Sequence, residues 1–338
     1  VSPRDASSPF QGKVPVTVVT GFLGAGKTTL VNDWLKSYAH EEKHRGALGI
    51  AVVVNEYGTV GIDGELLAER VKTLVEITGG CVCCTTQAEL MHALSTLATK
   101  SPPPRRIVIE TSGAASPVGV LRALASGGRL DVLALDGVVT VVDASRVDGL
   151  SSNELALEQV GCADLLILSR ADLCNEAELS HAQELLSARN GLARVRRASH
   201  GRIDDECAPS LEDMLDLVRT DLPEVRSLPA STSGGDHAVQ VYESVSLVLD
   251  GEIDDERFAD FMENELARFS GRIHRTKGIL AVAGLHERMI VQGVADLVEV
   301  TFAPPLEGGA RTSRLVVVGF GLDREGLTRA FARCAADT

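Results

Sequence analysis

The chain has 338 residues, with 33 Lys plus Arg against 47 Asp plus Glu, a formal charge of −14. That length suits one large domain or two ordinary ones, and 44% hydrophobic with 24% charged residues is a globular balance rather than a disordered one. The acidity is spread along the chain. It argues against a general nucleic-acid binder, which needs a basic footprint, and against docking on anionic lipid.

No apolar run approaches the length needed to cross a bilayer. Residues 1–13 are polar, lack the apolar stretch of a signal peptide, and read as an N-terminal extension. Residues 14–20 (VPVTVVT) are a β-branched apolar run, the pattern of a buried strand. A Gly-rich turn follows, then a helical pattern from Thr28. Further buried strands are expected at 50–54, 106–110, 138–143 and 164–169, with helices at 86–99, 153–162 and 176–190. Strands alternating with helices predict an α/β domain with a parallel sheet, over 14–226. Residues 227–237 (SLPASTSGGDH) have the composition of a linker. From 238 to 338 the rhythm changes. A strand at 239–249 precedes an amphipathic helix at 254–269, with Phe258, Phe261, Met262 and Leu266 on one face. Strands near 278–284, 289–293, 296–302 and 313–320 and a helix from Asp323 complete a small α+β domain.

The segment Gly21-Phe22-Leu23-Gly24-Ala25-Gly26-Lys27-Thr28 fits GxxxxGK[ST] between a strand and a helix, and Thr29 extends it. Glycines let backbone N–H groups wrap phosphate oxygens, and the helix N-terminus adds partial positive charge. Lys27 is placed to reach the β and γ phosphates of a nucleoside triphosphate, and Thr28 to put its hydroxyl on Mg²⁺. Glu110 ends the strand RIVIE and is followed by Thr-Ser-Gly113. A carboxylate there points to the crevice at the strand ends. It would hold Mg²⁺ through water or orient the attacking water. Asp143, closing VVTVVD, is a second candidate, and Gly113 would let its loop approach the γ phosphate.

Cys81, Cys83 and Cys84 crowd behind Gly79-Gly80, while Cys162, Cys174, Cys207 and Cys334 are scattered, so the cysteines make no disulfide framework. This usage suits a reducing, cytoplasmic setting. Three thiolates within four residues suit a soft ion such as Zn²⁺ or Cu(I), with an open position through which cargo can leave. A redox pair and buried structural thiols are the competing readings. Glu56, after IAVVV, and Asp63 are further oxygen donors for the metal or Mg²⁺. His92 is an alternative ligand on a helix.

These residues resemble the CobW-like P-loop GTPases, which act as metallochaperones or metalloprotein activators. The matching segments are GFLGAGKTT at 21–29, NEYG at 55–58, GGCVCC at 79–84, ETSG at 110–113 and VVDA at 141–144. Beyond the linker, 274–280 and 315–327 look like that family's C-terminal domain. The resemblance implies a GTPase that couples hydrolysis to transfer of zinc, bound at Cys81, Cys83 and Cys84, to a client protein. A nucleotide-gated metal buffer and a cobalt- or nickel-enzyme maturation factor are the alternatives. Oligomeric state is left open. The chain departs from the family where Asn-Lys-x-Asp is usual. It reads Ser169-Arg170-Ala171-Asp172, so guanine recognition would rest on Asp172 with Arg170 along the base. The His-rich linker of many relatives is absent, leaving His237.

Overall fold

The computed structural model describes residues 13–45, 49–56, 74–78, 85–126, 132–203, 242–295, 297–304 and 311–337. The extension before residue 13, Asp63, Cys81, Cys83, Cys84, the linker 227–237 and His237 therefore lie outside the described residues. The chain divides into two compact units, Val1–Leu186 with Ala193–Asp221 and Ser187–Leu192 with Leu222–Thr338.

The first unit is built on a sheet ordered β3-β2-β4-β1-β5-β6-β7-β8. Its strands are β1 (Val14–Thr20), β2 (Ile50–Glu56), β3 (Leu74–Thr78), β4 (Arg106–Thr111), β5 (Leu133–Asp143), β6 (Leu165–Ser169), β7 (Arg194–Ser199) and β8 (Arg202–Ile203). All pair in parallel except β7 with β8. The expected apolar runs form the central strands. Three strands were not read from the sequence. Leu74–Thr78 is short and interrupted by Glu76, and Arg194–Ser199 with Arg202–Ile203 is rich in arginine, so none forms an apolar run. Helix α1 (Lys27–Arg45) lays Leu30, Val31, Trp34 and Leu35 on Val52, Val54, Val108, Val141 and Ile167. Burying each such side chain contributes about 1.5–3 kcal/mol. The other helices among the described residues are α2 (Thr85–Ala98), α3 (Pro117–Ser126), α4 (Glu154–Cys162) and α5 (Glu176–Arg189). Helix α3 was not anticipated. Its start is the favourable pair of a Ser116 hydroxyl accepting from Val118 N and Pro117 in the first helical position.

The register sets out the site. Val19 lies opposite Glu110, Asn55 opposite Thr111 and Asp143 opposite Ser169. The chain leaves β1 with β4 on one side and β5 on the other, the topological switch at which ligands of open α/β sheets sit.

The second unit is an antiparallel sheet ordered β12-β11-β10-β13-β9, from β9 (Tyr242–Asp250), β10 (Ile273–Ala281), β11 (Arg288–Val294), β12 (Leu297–Ala303) and β13 (Thr312–Phe320). β10 starts earlier than its apolar run suggested, because the polar residues His274, Arg275 and Thr276 are buried strand residues too. The helix expected at 254–269 is broken. Asp254 caps α6 (Asp255–Asp260), a wide π turn runs over Phe261–Glu265, and a 3₁₀ turn over Leu266–Phe269. The wide turn absorbs one residue. Leu266, rather than Glu265, then joins Phe258, Phe261 and Phe269 in the core. Phe261 meets Phe331 edge-on at 5.7 Å, on α7 (Arg324–Ala332), which Asp323 caps.

Candidate functional site: the phosphate loop and its neighbours

The loop from Gly21 to Gly26 turns back on itself through three glycines of positive φ, Gly21 at 136°, Gly24 at 73° and Gly26 at 99°. At Gly21 a side chain is impossible, since its Cβ would lie 2.1 Å from the Val141 carbonyl oxygen. Ala25 N donates to Phe22 O at 3.1 Å, and Leu30 N to Gly26 O at 3.0 Å as the helix begins. Ala25 is buried, while Phe22 and Leu23 face outward. Lys27 is 8% exposed, and its ammonium donates to Gly21 O at 2.9 Å and Phe22 O at 3.3 Å. Its charge is thus held inside the curl of the loop, where phosphate oxygens would replace those carbonyls.

Thr28 Oγ1 donates to Glu110 Oε1 at 2.6 Å. The two residues are far apart in sequence and meet because β1 and β4 are neighbours. A hydroxyl and a carboxylate side by side form an oxygen-only donor set, which fits a hard cation such as Mg²⁺. Gly113 follows on the same crossing. A Cβ there would lie 2.7 Å from Leu23 N and 2.9 Å from Lys27 Nζ. Glycine is therefore what lets this segment touch the phosphate loop.

Asp143 is engaged by its protein neighbours in this structure. Its Oδ1 accepts from Ser145 N at 3.1 Å and Ser145 Oγ at 2.7 Å, capping the 3₁₀ helix Ala144–Ser152. Its Oδ2 holds the Arg170 guanidinium. Arg170 has a left-handed backbone, φ 56°, and its second nitrogen donates to Gly24 O at 2.8 Å. Its head is thus clasped between Asp143 and the phosphate loop. Ser169 Oγ adds bonds to Ala25 O at 2.6 Å and Val142 O at 3.2 Å. Asp172 sits in the turn Ala171–Leu173, with Oδ2 3.5 Å from His200 Nε2. His200 and Gly201 also have positive φ, and a Cβ on Gly201 would meet Thr29 O at 2.9 Å. That places the β7–β8 turn against the first turn of α1.

Lys27, Thr28, Glu110 and Gly113 are therefore brought together, and Asp172 stands on the turn after β6. Glu56 ends β2, paired with Thr78. His92 is exposed on α2. One contributor carried no sequence motif. Gln159 on α4 donates from Nε2 to Gly113 O at 3.3 Å and Ala115 O at 3.2 Å. A glutamine inside a helix gives no signal of a contact made so far along the chain.

Strand, Gly-rich turn, buried lysine and hydroxyl–carboxylate pair define a P-loop nucleotide-binding protein. Residues 15–197 match the family model described as CobW/HypB/UreG, nucleotide-binding domain, and residues 242–335 match the cobalamin synthesis protein cobW C-terminal domain. The chain belongs to this family. It is 32% identical over 329 residues to the zinc chaperone YjiA of Escherichia coli, covering 94% of this chain and 98% of that one. It is 28% identical to the zinc chaperone CobW of a Sinorhizobium species, covering 91% and 93%. The crystal structure of Zn(II)-bound YjiA GTPase from E. coli superimposes with a TM-score of 0.69 at 25% identity, over 96% of this chain and 99% of that chain.

Proposed function

We propose that the protein hydrolyses GTP to drive delivery of zinc, carried on Cys81, Cys83 and Cys84, to a metal-requiring client protein. By its family the chain is a P-loop GTPase working with GTP and Mg²⁺ among zinc-handling relatives. The observation that carries the reading is the Thr28–Glu110 bond with Gly113 pressed on Leu23, which joins the nucleotide loop to the segment that follows β4. Backbone N–H groups of Gly21–Gly26 wrap the phosphates. Lys27 exchanges its carbonyl partners for β and γ oxygens, and Thr29 supports the helix start. Thr28 would hold Mg²⁺, which neutralises charge developing between the β and γ phosphates. Glu110 holds the hydroxyl of Thr28 and orients water on the γ side. Asp172 accepts from guanine N1–H and the exocyclic amine.

Thiolates release zinc when their geometry is disturbed, and Glu56 stands at the end of β2, where a nucleotide-dependent segment can feel the γ phosphate. Zinc titration at fixed GTP, on the parent and on a triple Cys81→Ser, Cys83→Ser, Cys84→Ser variant, tests the reading. Binding should vanish in the variant. In the parent, zinc should change nucleotide affinity by about 5- to 150-fold and release protons. Equal zinc binding by both proteins refutes the cysteine site. Zinc binding without any change in turnover or nucleotide affinity leaves a metal buffer.

A further inference from the structure

After Thr111 the chain leaves the sheet in a tight turn, closed by Ala115 N donating to Ser112 O at 3.0 Å. Helix α4 grips this turn with two adjacent side chains. Glu158 accepts from Ser116 Oγ at 2.7 Å. Gln159, only 1% exposed, donates through Nε2 to Gly113 O and Ala115 O. Its backbone carbonyl in turn accepts from Thr140 Oγ1 on β5 at 2.7 Å, so the residue is fixed at both ends. The amide orientation follows from its neighbours. Both are carbonyl oxygens, and only the nitrogen can donate to them. This leaves Oε1 buried with no hydrogen-bond partner among the described residues.

The same turn carries Gly113, packed on Leu23 and Lys27, where a γ phosphate would be met. We propose that Gln159 is the positioning residue for Gly113. Its Nε2 bonds to the Gly113 and Ala115 carbonyl oxygens fix the turn, and so aim Gly113 N–H at the γ phosphate. The γ phosphate is thereby sensed by α4 as well as by the loop. This rests on the reading of Gly113 as the γ-phosphate contact.

The test uses the full chain with Gln159→Met, which keeps length and removes donor and acceptor, and Gln159→Glu, which keeps shape and removes the amide donor. Hydrolysis (kcat), affinity for GDP and affinity for a non-hydrolysable GTP analogue are measured. Misplacing Gly113 should lower kcat by about 10- to 100-fold. Analogue affinity should fall about tenfold relative to GDP, whose affinity changes by less than about twofold, because GDP has no γ phosphate to report the turn. A kcat and analogue-to-GDP ratio equal to the parent's in either variant overturns the proposal. So does equal weakening of both nucleotides with a lowered melting temperature, the mark of a merely structural residue. A parent that does not hydrolyse GTP sinks the GTPase reading and this proposal together. A parent that does, beside unaltered variants, sinks only this proposal.

Discussion

The strand ends of the first unit and the helix-covered face of the second bury different chemistry. Along the C-terminal ends of the parallel strands the first unit buries Lys27, Glu110, Asp143 and Gln159. The helix-covered face of the antiparallel sheet buries Phe258, Phe261, Leu315, Val317 and Phe331 instead. Even the thiol there is inert. Cys334 is pushed up to about 11 by burial, so it stays protonated and packs as an apolar group. An apolar cluster has one good packing and resists change. A polar cluster is held by a few bonds, each of which a ligand atom can replace. The difference separates a part suited to hold its shape from a part suited to respond to nucleotide.

The comparison can be broken most forcefully in the apolar core. Phe261→Ala should lower stability by about 3–5 kcal/mol, through lost burial and a cavity beside Phe258 and Phe331. Denaturant unfolding would show it. GTP affinity of the folded protein should be unchanged, and a parallel loss would contradict the contrast. The converse lesion is Lys27→Ala. It removes a buried ammonium that donates to the Gly21 and Phe22 carbonyl oxygens. Nucleotide affinity should fall by at least about 100-fold, the scale of more than one charge-assisted bond. The melting temperature should move by less than in Phe261→Ala, since no cavity opens in an apolar cluster. Calorimetric titration and thermal melting together decide it.

A smaller effect sharpens the picture at the turn that carries Asp172. Asp172 lies at an accessible turn with His200 beside it, so bonds it made to guanine would be partly screened. The parent should prefer GTP over ATP by roughly tenfold, and Asp172→Asn should bring the ratio near unity. Equal affinities in the parent would sink the guanine assignment. The smallest effect is a pH dependence at Glu158. Burial holds its carboxyl above the ordinary value of 4.5, against the Ser116 hydrogen bond and the Arg122 charge. The folded protein therefore binds this proton more tightly than the unfolded chain. The associated stability is complete below the ordinary Glu range and is lost as pH rises through the raised value. Glu158→Gln should gain on the parent near pH 8 by less than about 1 kcal/mol, discounted for solvent screening, and match it near pH 4. A gain that grows toward acid pH would reverse the sign.

Much of this was legible in the residues. The five apolar runs of the first unit became its central strands because a parallel sheet covered on both faces demands them. The loop at 21–28 declared itself because its conformation depends on residue type at fixed positions. What stayed hidden depends on contacts distant in sequence. The carboxylate of Asp143 ends a strand, and only the fold shows that it holds Ser145 and Arg170. Gln159 had no pattern at all. In the second unit the period of 258–269 read as one helix, because a single absorbed residue in a π turn leaves the apolar spacing nearly intact.

The left-handed backbone at Arg170 restricts how the turn after β6 can drift in sequence. Asparagine and glycine would sit more comfortably at φ 56°, yet neither reaches Asp143. Lysine would keep the charge and suffer the same backbone. It offers one nitrogen where the guanidinium spans both Asp143 and the Gly24 carbonyl. Substitution at this site is therefore caught between two demands that different residues satisfy. A library varied at position 170 and selected for GTP turnover should return arginine, unless Asp143 is varied alongside it.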